Sequence, residues 1–418
     1  MVSNNSDFRR IDYIKITIFG FALAALWGSL HTFIIQVRLQ GFVPKSEETL
    51  WFGVLTLVGL GVAMVVQPIA GAISDRSGFG WGRRRPYILL GTILAILFLP
   101  GIGLCGSYAT LLIIYCLLQF SCNTAQGPYQ AFIPDLVPGG KRGLASGVKS
   151  LLEIIGGLAL VWLIFNFMER YFTEQGGPWL WYTLALLAIV LLGATVATVL
   201  TVKERPGAGG SQLPLLSTLY KSFNIDVKAS PGFILFLVSR LLILTALATL
   251  QRYAFYFLTD VVGVANPVTV LKELLFVVGF CMVAAVYPAG WLSDRVGRRP
   301  VVVSSGLLGA LGIVVLSLSP SYGAIMFAGA LLGVSSGAFM SSNWALATDL
   351  VPKSEEARYL GLTNLATAGG GALVGLMGVV IYLFNVEIPD LGYKVMLIAC
   401  FIYFIVGSLL LMRIKGRS

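Results

Sequence analysis

Twelve long runs of apolar residues alternate with short polar breaks along this chain. They fall near 13–37, 50–73, 86–105, 108–134, 143–167, 179–202, 231–258, 268–291, 300–318, 321–348, 359–384 and 392–412. Each is long enough for a helix to cross a hydrocarbon layer ~30 Å thick. The pattern predicts an all-α membrane protein of 12 transmembrane helices. The one polar interruption of real length, 203–230, holds Lys203, Glu204, Arg205, Pro206 and a Gly-Ala-Gly-Gly run. It reads as a cytoplasmic linker between an N-terminal six-helix bundle, 1–202, and a C-terminal one, 231–418.

The two halves repeat one another. QPIAGAISDRSGFGWGRRRPY (67–87) returns as PAGWLSDRVGRRP (288–300). Pro86 and Pro300 are 214 residues apart, and so are Pro138 and Pro352, which end AFIPDLVP and ALATDLVP. Asp75 and Asp294 are 219 apart, and the extra five residues are the insertion Ser77–Trp81. A constant offset with one located insertion marks two homologous six-helix halves.

Composition agrees: 57% of residues are hydrophobic, 11% are charged and the mean hydropathy is +0.86, so lipid must be the solvent. The net charge of +10 is no sign of nucleic acid, because the basic residues sit in short loops on one side. With the N-terminus inside, 22 Lys and Arg lie at inner segments and helix ends, and five (Arg38, Lys45, Arg170, Lys272, Lys394) lie outside. Both termini are therefore expected in the cytoplasm. The first apolar run is too long for a signal-peptide core and is expected to remain as a span. The five cysteines lie within apolar runs, without metal-ligand spacing, and read as small hydrophobes. There is no phosphate loop, metal set or hydrolytic triad, so neither an enzyme nor an ATP-driven pump is expected, and no cofactor.

Twelve spans, a six-plus-six duplication and a D-R…G-R-R motif after spans two and eight resemble the major facilitator superfamily. Three stretches narrow the likeness: VQPIAG..SDR with GRRRPYI; N..QGP with its AF and DL (Asn123, Gln126, Gly127, Pro128, Ala131, Phe132, Asp135, Leu136); and RLLILTAL with TD..G (Arg240 to Leu247, Thr259, Asp260, Gly263). Together they resemble the plant sucrose–proton symporters and related sugar:cation symporters. The likeness implies the two-bundle fold and arginine loops that latch a cytoplasmic gate. In such loops an aspartate meets a helix N-terminus and arginines bridge to acids of the opposite half. The gating candidates are Asp75, Arg76, Arg84, Asp294, Arg295 and Arg299; the alternative is that the arginines only set topology. The chain departs from the symporters in span four: Gln119 stands where they carry an aspartate implicated in proton coupling, and Gln130 replaces their arginine.

Depth and periodicity supply further candidates. Lys149 and Glu153 share a helix face at i,i+4, and Glu153 lies roughly 15 Å into span five. The 214-residue offset places threonines, Thr363 and Thr367, at the matching positions of the second half. An ionisable pair near the midplane is expensive, which makes it the candidate for proton coupling or, alternatively, a self-satisfied structural bridge. Arg240, roughly 13 Å into span seven, is a substrate-binding candidate. Gln119, Asn123, Gln126 and Gln130 form one stripe of span four, suited to the hydroxyls of a sugar or to bonds between helices. Span ten offers Asn343 and Trp344 at the matching depth. Trp27 lies one turn from His31, the only histidine, and is expected to line the cavity; His31 itself, roughly 27 Å along span one, reads as an ordinary interfacial residue.

The sequence thus predicts a monomeric, alternating-access secondary transporter of the inner or plasma membrane. It would move a sugar or similar small polar solute with H⁺ as coupling ion, in contact with the lipid bilayer and no nucleic acid. The alternatives are an exporter of amphipathic, drug-like compounds, or a non-transporting pigment- or lipid-delivery or sensor member of the fold.

Overall fold

The computed structural model of the protein describes residues 9–138, 141–173, 177–204, 231–319, 321–350 and 356–413. Among these residues twelve helical segments are long and apolar enough to cross a membrane: α1 (Arg10–Gln40), α2 (Lys45–Asp75), α3 (Arg85–Leu104), α4 (Tyr108–Leu136), α5 (Leu144–Phe172), α6 (Gly177–Thr201), α7 (Pro231–Val262), α8 (Pro267–Val296), α9 (Arg298–Leu318), α10 (Tyr322–Asn343), α11 (Gly369–Glu387) and α12 (Leu391–Met412). Every apolar run read from the sequence lies on one of them. No strand occurs among the described residues. In lipid this is required, because a spanning backbone must satisfy its own polar groups.

Helix ends differ from the hydrophobic runs where polar residues stay helical. The helix of α8 continues through Ser293, Asp294 and Arg295 to Val296, and stops at Gly297, whose φ of +96° few L residues adopt. The helix of α10 runs on to Leu350, and that of α11 begins at Glu356. Of the polar linker, 205–230 lies outside the described residues.

The chain divides into two compact units, Met1–Phe42 with Val58–Tyr220, and Val43–Leu57 with Lys221–Ser418. The break falls inside α2, whose first residues pack with the second unit. There Phe52 stands edge-on to Tyr253 at 5.7 Å and near Tyr256 at 5.9 Å. Beside them Gly53 meets the backbone of Gly375, so closely that a side chain at Gly53 would collide with the Gly375 carbonyl. Hydrocarbon offers no hydrophobic drive between helices, so contacts of this kind come from small residues that let backbones approach.

The same device organises the first unit. Gly156 of α5 lies against the Phe21 carbonyl of α1, Gly91 of α3 against Ser121 of α4, and Gly127 of α4 against Gln67 of α2. Between α3 and α6, Thr92 and Thr195 hydroxyls meet at 2.9 Å. Among the described residues three spans carry a π-turn: Leu30–Ile34 in α1, Gly156–Leu160 in α5 and Leu258–Val262 in α7. Each extra residue rotates the helix beyond it, and such turns gather at functional sites. Large apolar side chains stay on the outside, Leu318 at 81% and Leu200 at 75% exposure, as lipid contact requires.

Candidate functional site

In the first unit, a row of polar and aromatic side chains joins α1 to α4. Trp27 stacks on His31 with ring centroids 5.1 Å apart and planes 15° from parallel, and Tyr115 of α4 stands edge-on to both. His31 Nε2 and Tyr115 Oη are 2.7 Å apart. Gln119 Nε2 donates to Tyr115 Oη at 2.8 Å, and Asn123 Nδ2 donates to Gln119 Oε1 at 3.0 Å and to its backbone oxygen at 2.8 Å. Tyr115, Gln119 and Asn123 are buried, and Gln126 and Gln130, further along the stripe, are half-buried. His31 lies within the π-turn of α1, where the register shift belongs to the segment that faces Tyr115. Sequence reasoning found the two amides and Trp27 but not Tyr115 or the part played by His31. The signal was present, since Tyr115, Gln119 and Asn123 continue one stripe at i,i+4.

A second junction lies where α1, α4 and α5 meet. Tyr129 Oη donates to the Thr17 carbonyl at 3.0 Å and accepts from the Gly20 amide at 3.1 Å. Lys149 Nζ sits over the Tyr129 ring, 5.4 Å from its centroid, and 3.7 Å from Glu153 Oε1. A Cβ on Gly20 would stand 2.5 Å from Tyr129 Oη and 2.9 Å from Glu153 Oε1, so only glycine lets α1 pass here. Glu153 and Lys149 retain 37% and 23% exposure, so the pair is half-buried.

In the second unit, Arg240 of α7 donates through Nη1 to Asn343 Oδ1 of α10. Asn343 is fully buried, and its Nδ2 and the neighbouring Ser342 Oγ have no hydrogen-bond partner among the described residues. Unmet buried donors and acceptors are costly in an apolar surround. The side chain of Trp344 lies outside the described residues.

The first arginine loop closes on acids of its own unit. Arg84, 4% exposed, reaches Asp75 at the end of α2 through Nη2 and Asp135 of α4 through Nη2 at 2.9 Å and Nε at 3.1 Å. Its Nη1 donates to Ser74 Oγ at 2.8 Å. Arg83 joins the same Asp135 at 2.7 Å. Burial works against the Arg83 charge, but Asp135 outweighs it and holds the guanidinium above its ordinary value. Glu204 accepts from the backbone amides of Arg84 and Arg85 at 3.0 and 3.1 Å, which are orphan donors at the start of α3. Burial pushes the Glu204 carboxyl upward against these bonds. Arg85 Nη1 donates to the Val199 and Val202 carbonyls at 2.9 and 2.8 Å, at the end of α6. Asp135 and Glu204 were not expected as partners. In the second loop, Asp294 and Arg295 are exposed, Arg295 lies 3.9 Å over the Trp291 ring, and Arg299 is half-buried. Arg76, next to Asp75, is half-buried.

The profile of the family described as MFS/sugar transport protein matches residues 46–412. Sucrose transport protein SUT1 of Oryza sativa subsp. japonica is 32% identical over 211 residues, covering 43% of this chain and 38% of that protein. Proton-associated sugar transporter A of Homo sapiens is 27% identical over 216 residues, covering 48% and 28%. These matches thus span less than half of either relative. Among solved structures, a bacterial homologue of the human lysosomal transporter Spinster superposes with a TM-score of 0.69 at 15% identity, over 98% of this chain and 97% of the other. That likeness speaks for the fold. These are transporters, not enzymes.

Proposed function

The chain belongs to the MFS/sugar transport protein family, and on that premise we propose that it moves a sugar or similar small polar solute across the cell membrane by alternating access, coupled to protons. The observation that carries the reading is the row from Trp27 and His31 through Tyr115 to Gln119 and Asn123, with Gln126 and Gln130 beyond it. Amides that donate and accept, beside aromatic faces, match the hydroxyls and apolar ring faces of a neutral sugar. Arg240 and Asn343 form the corresponding polar element of α7 and α10, and with Trp27 and Trp344 complete the proposed binding set. The two six-helix halves, 1–202 and 231–418, act as the moving bodies, with 203–230 as the cytoplasmic linker.

Glu153 is the proposed proton carrier. It is a half-buried carboxylate within a span, with Lys149 as its ion-pair partner among the described residues. Lys149 holds the charge balance when the proton leaves. The arginine loops act as latches at the cytoplasmic ends: Asp75, Arg76 and Arg84 in the first half, and Asp294, Arg295 and Arg299 in the second. Both termini lie in the cytoplasm, a reading supported by the excess of Lys and Arg on that side, and the working unit is a monomer.

The test uses purified protein in liposomes that hold a pH-sensitive dye. Glucose, galactose, sucrose and lactose are added outside one at a time, and proton entry is followed. Acidification with at least one sugar supports the reading. No response to any sugar, together with binding of a hydrophobic cation, would overturn it in favour of an exporter of amphipathic compounds.

A further inference from the structure

A groove of about 330 Å³ opens between α8, α9 and α10 in the second unit. Ala285 and Ala289 of α8, Val301 and Ser304 of α9, and Val334 and Ala338 of α10 line it, so its walls are almost wholly apolar. Ser304 and Val334 are exposed, which opens the groove toward lipid. Ala285 and Val296, both on its wall, are 11 residues apart. That is about 16 Å of helix at ~1.5 Å per residue, roughly half of a ~30 Å hydrocarbon layer.

At the helix ends the groove reaches charge. Val296 and Pro300, the lining residues nearest the α8–α9 turn, bracket Gly297, Arg298 and Arg299. Arg295 precedes Val296 and lies over the Trp291 ring at 3.9 Å, and Trp291 and Tyr287 are exposed one turn apart. Aromatic residues beside arginines at the end of a span mark the depth of lipid headgroups. The acids near these arginines in the duplicated motifs are Asp294, which is exposed, and Asp349, whose side chain lies outside the described residues. The three arginines remain in excess.

Comparison with the first half shows what sets this place apart. Ser335 Oγ donates to the Ser305 carbonyl at 2.7 Å, and 214 residues earlier Gly91 lies against the Ser121 carbonyl, so the sequence offset holds in the packed helices. At the positions of Val301, Ser304 and Val334 the first half carries the larger Tyr87, Leu90 and Phe120. Glu204, which lies on the Arg84 and Arg85 amides, is matched by Ser418, in a stretch, 413–418, with three basic residues and no acid. The second half thus has smaller side chains along the groove, and no carboxylate at the position of Glu204.

We propose that this groove holds one acyl chain of an anionic glycerophospholipid, whose phosphate takes the place of the Glu204 carboxylate and meets the guanidinium groups of Arg298 and Arg299. The apolar walls accept the hydrocarbon, and arginine forks match phosphate oxygens two at a time. A zwitterionic headgroup brings its own cation to the arginines, so a headgroup of net negative charge is favoured. Nothing in this site depends on which solute the chain carries.

The experiment uses the full chain in detergent, incubated with dioleoylphosphatidylglycerol and dioleoylphosphatidylcholine in equal amounts. Native mass spectrometry counts the lipids retained. One phosphatidylglycerol should be held with at least a tenfold preference. Arg298→Gln with Arg299→Gln should bring its retention down to that of phosphatidylcholine. Ser304→Leu with Val334→Phe, which gives the groove the side chains of Leu90 and Phe120, should lower the retention of both lipids. These two residues face outward, so the groove variant decides the matter even where the arginine pair proves necessary for folding. In the wild type, phosphatidylglycerol with a diazirine in its acyl chain should label 285–308. Equal retention of the two lipids by the wild type would overturn the proposal. So would undiminished phosphatidylglycerol retention in the groove variant, which would mean diffuse attraction to the arginines, and so would labelling confined to other segments.

Discussion

Arg84 and Asp135, 51 residues apart, are joined by two guanidinium nitrogens on one carboxylate oxygen, at 2.9 and 3.1 Å, while the same guanidinium holds Asp75. This one buried side chain ties the end of α2 to the start of α3 and the end of α4. Its planar fork is the reason arginine stands there, since an ammonium cannot address two acids and the Ser74 hydroxyl at fixed angles.

Arg84→Ala leaves two acids facing each other and removes a buried partner. The expected loss of stability is about 3 kcal/mol, the scale of breaking a buried ion pair by removing one side. Thermal unfolding in detergent reads it. Arg84→Lys should recover only part of the loss, and full recovery would show that charge alone suffices.

Glu204 gives a pH signature. Its folded carboxyl titrates above the ordinary 4.5, because burial outweighs the two backbone bonds. The native state then holds this proton more tightly than the unfolded chain does. Stability from this group is therefore greatest below pH 4.5 and declines as pH rises through the raised folded value. Glu204→Gln should flatten that part of the stability–pH curve. A curve of unchanged slope would remove Glu204 as its source.

Gly20→Ala drives a methyl group to 2.5 Å from Tyr129 Oη. Overpacking of this kind costs roughly 1–3 kcal/mol. In the double variant with Tyr129→Phe part of the cost should return, because the nearest atom is gone while Glu153 Oε1 remains. Strictly additive effects in the cycle would mean that the two residues do not press on each other.

Glu153→Gln should abolish sugar-driven proton entry in liposomes while sugar exchange without a gradient persists. Lys149→Met should leave Glu153 without its cation and weaken coupling as well. Proton-coupled uptake at the wild-type rate in Glu153→Gln would remove this residue from the mechanism.

Several features of the site could be read before any fold was known. Lys149 and Glu153, and Gln119 and Asn123, pair at i,i+4, and helical geometry alone places such residues together. Trp27 and His31 stack for the same reason. The partner of His31 could not be read this way. Tyr115 lies 84 residues on, and no period connects two different helices. Asp135 and Glu204 were equally hidden, because their arginine partners lie 51 and 120 residues away. The Arg240–Asn343 contact spans 103 residues and follows from α7 and α10 packing in one unit.

The order of apolar and polar residues by itself determined twelve spans and their approximate ends, while the repeated arginine motifs carried the duplication and the likeness to the family. It could do so because lipid imposes one rule at every position along the chain: an apolar run of sufficient length must cross as a helix with its backbone bonds closed. Only the tertiary structure decided which polar side chains inside those helices meet. It assigned the first residues of α2 to the second unit, inserted π-turns where the pattern of hydrophobicity is silent, and closed Arg84 on acids of its own unit. Such choices turn on the rotation of each helix about its axis, and close backbone contacts set that rotation, as Gly20, Gly53 and Gly156 show.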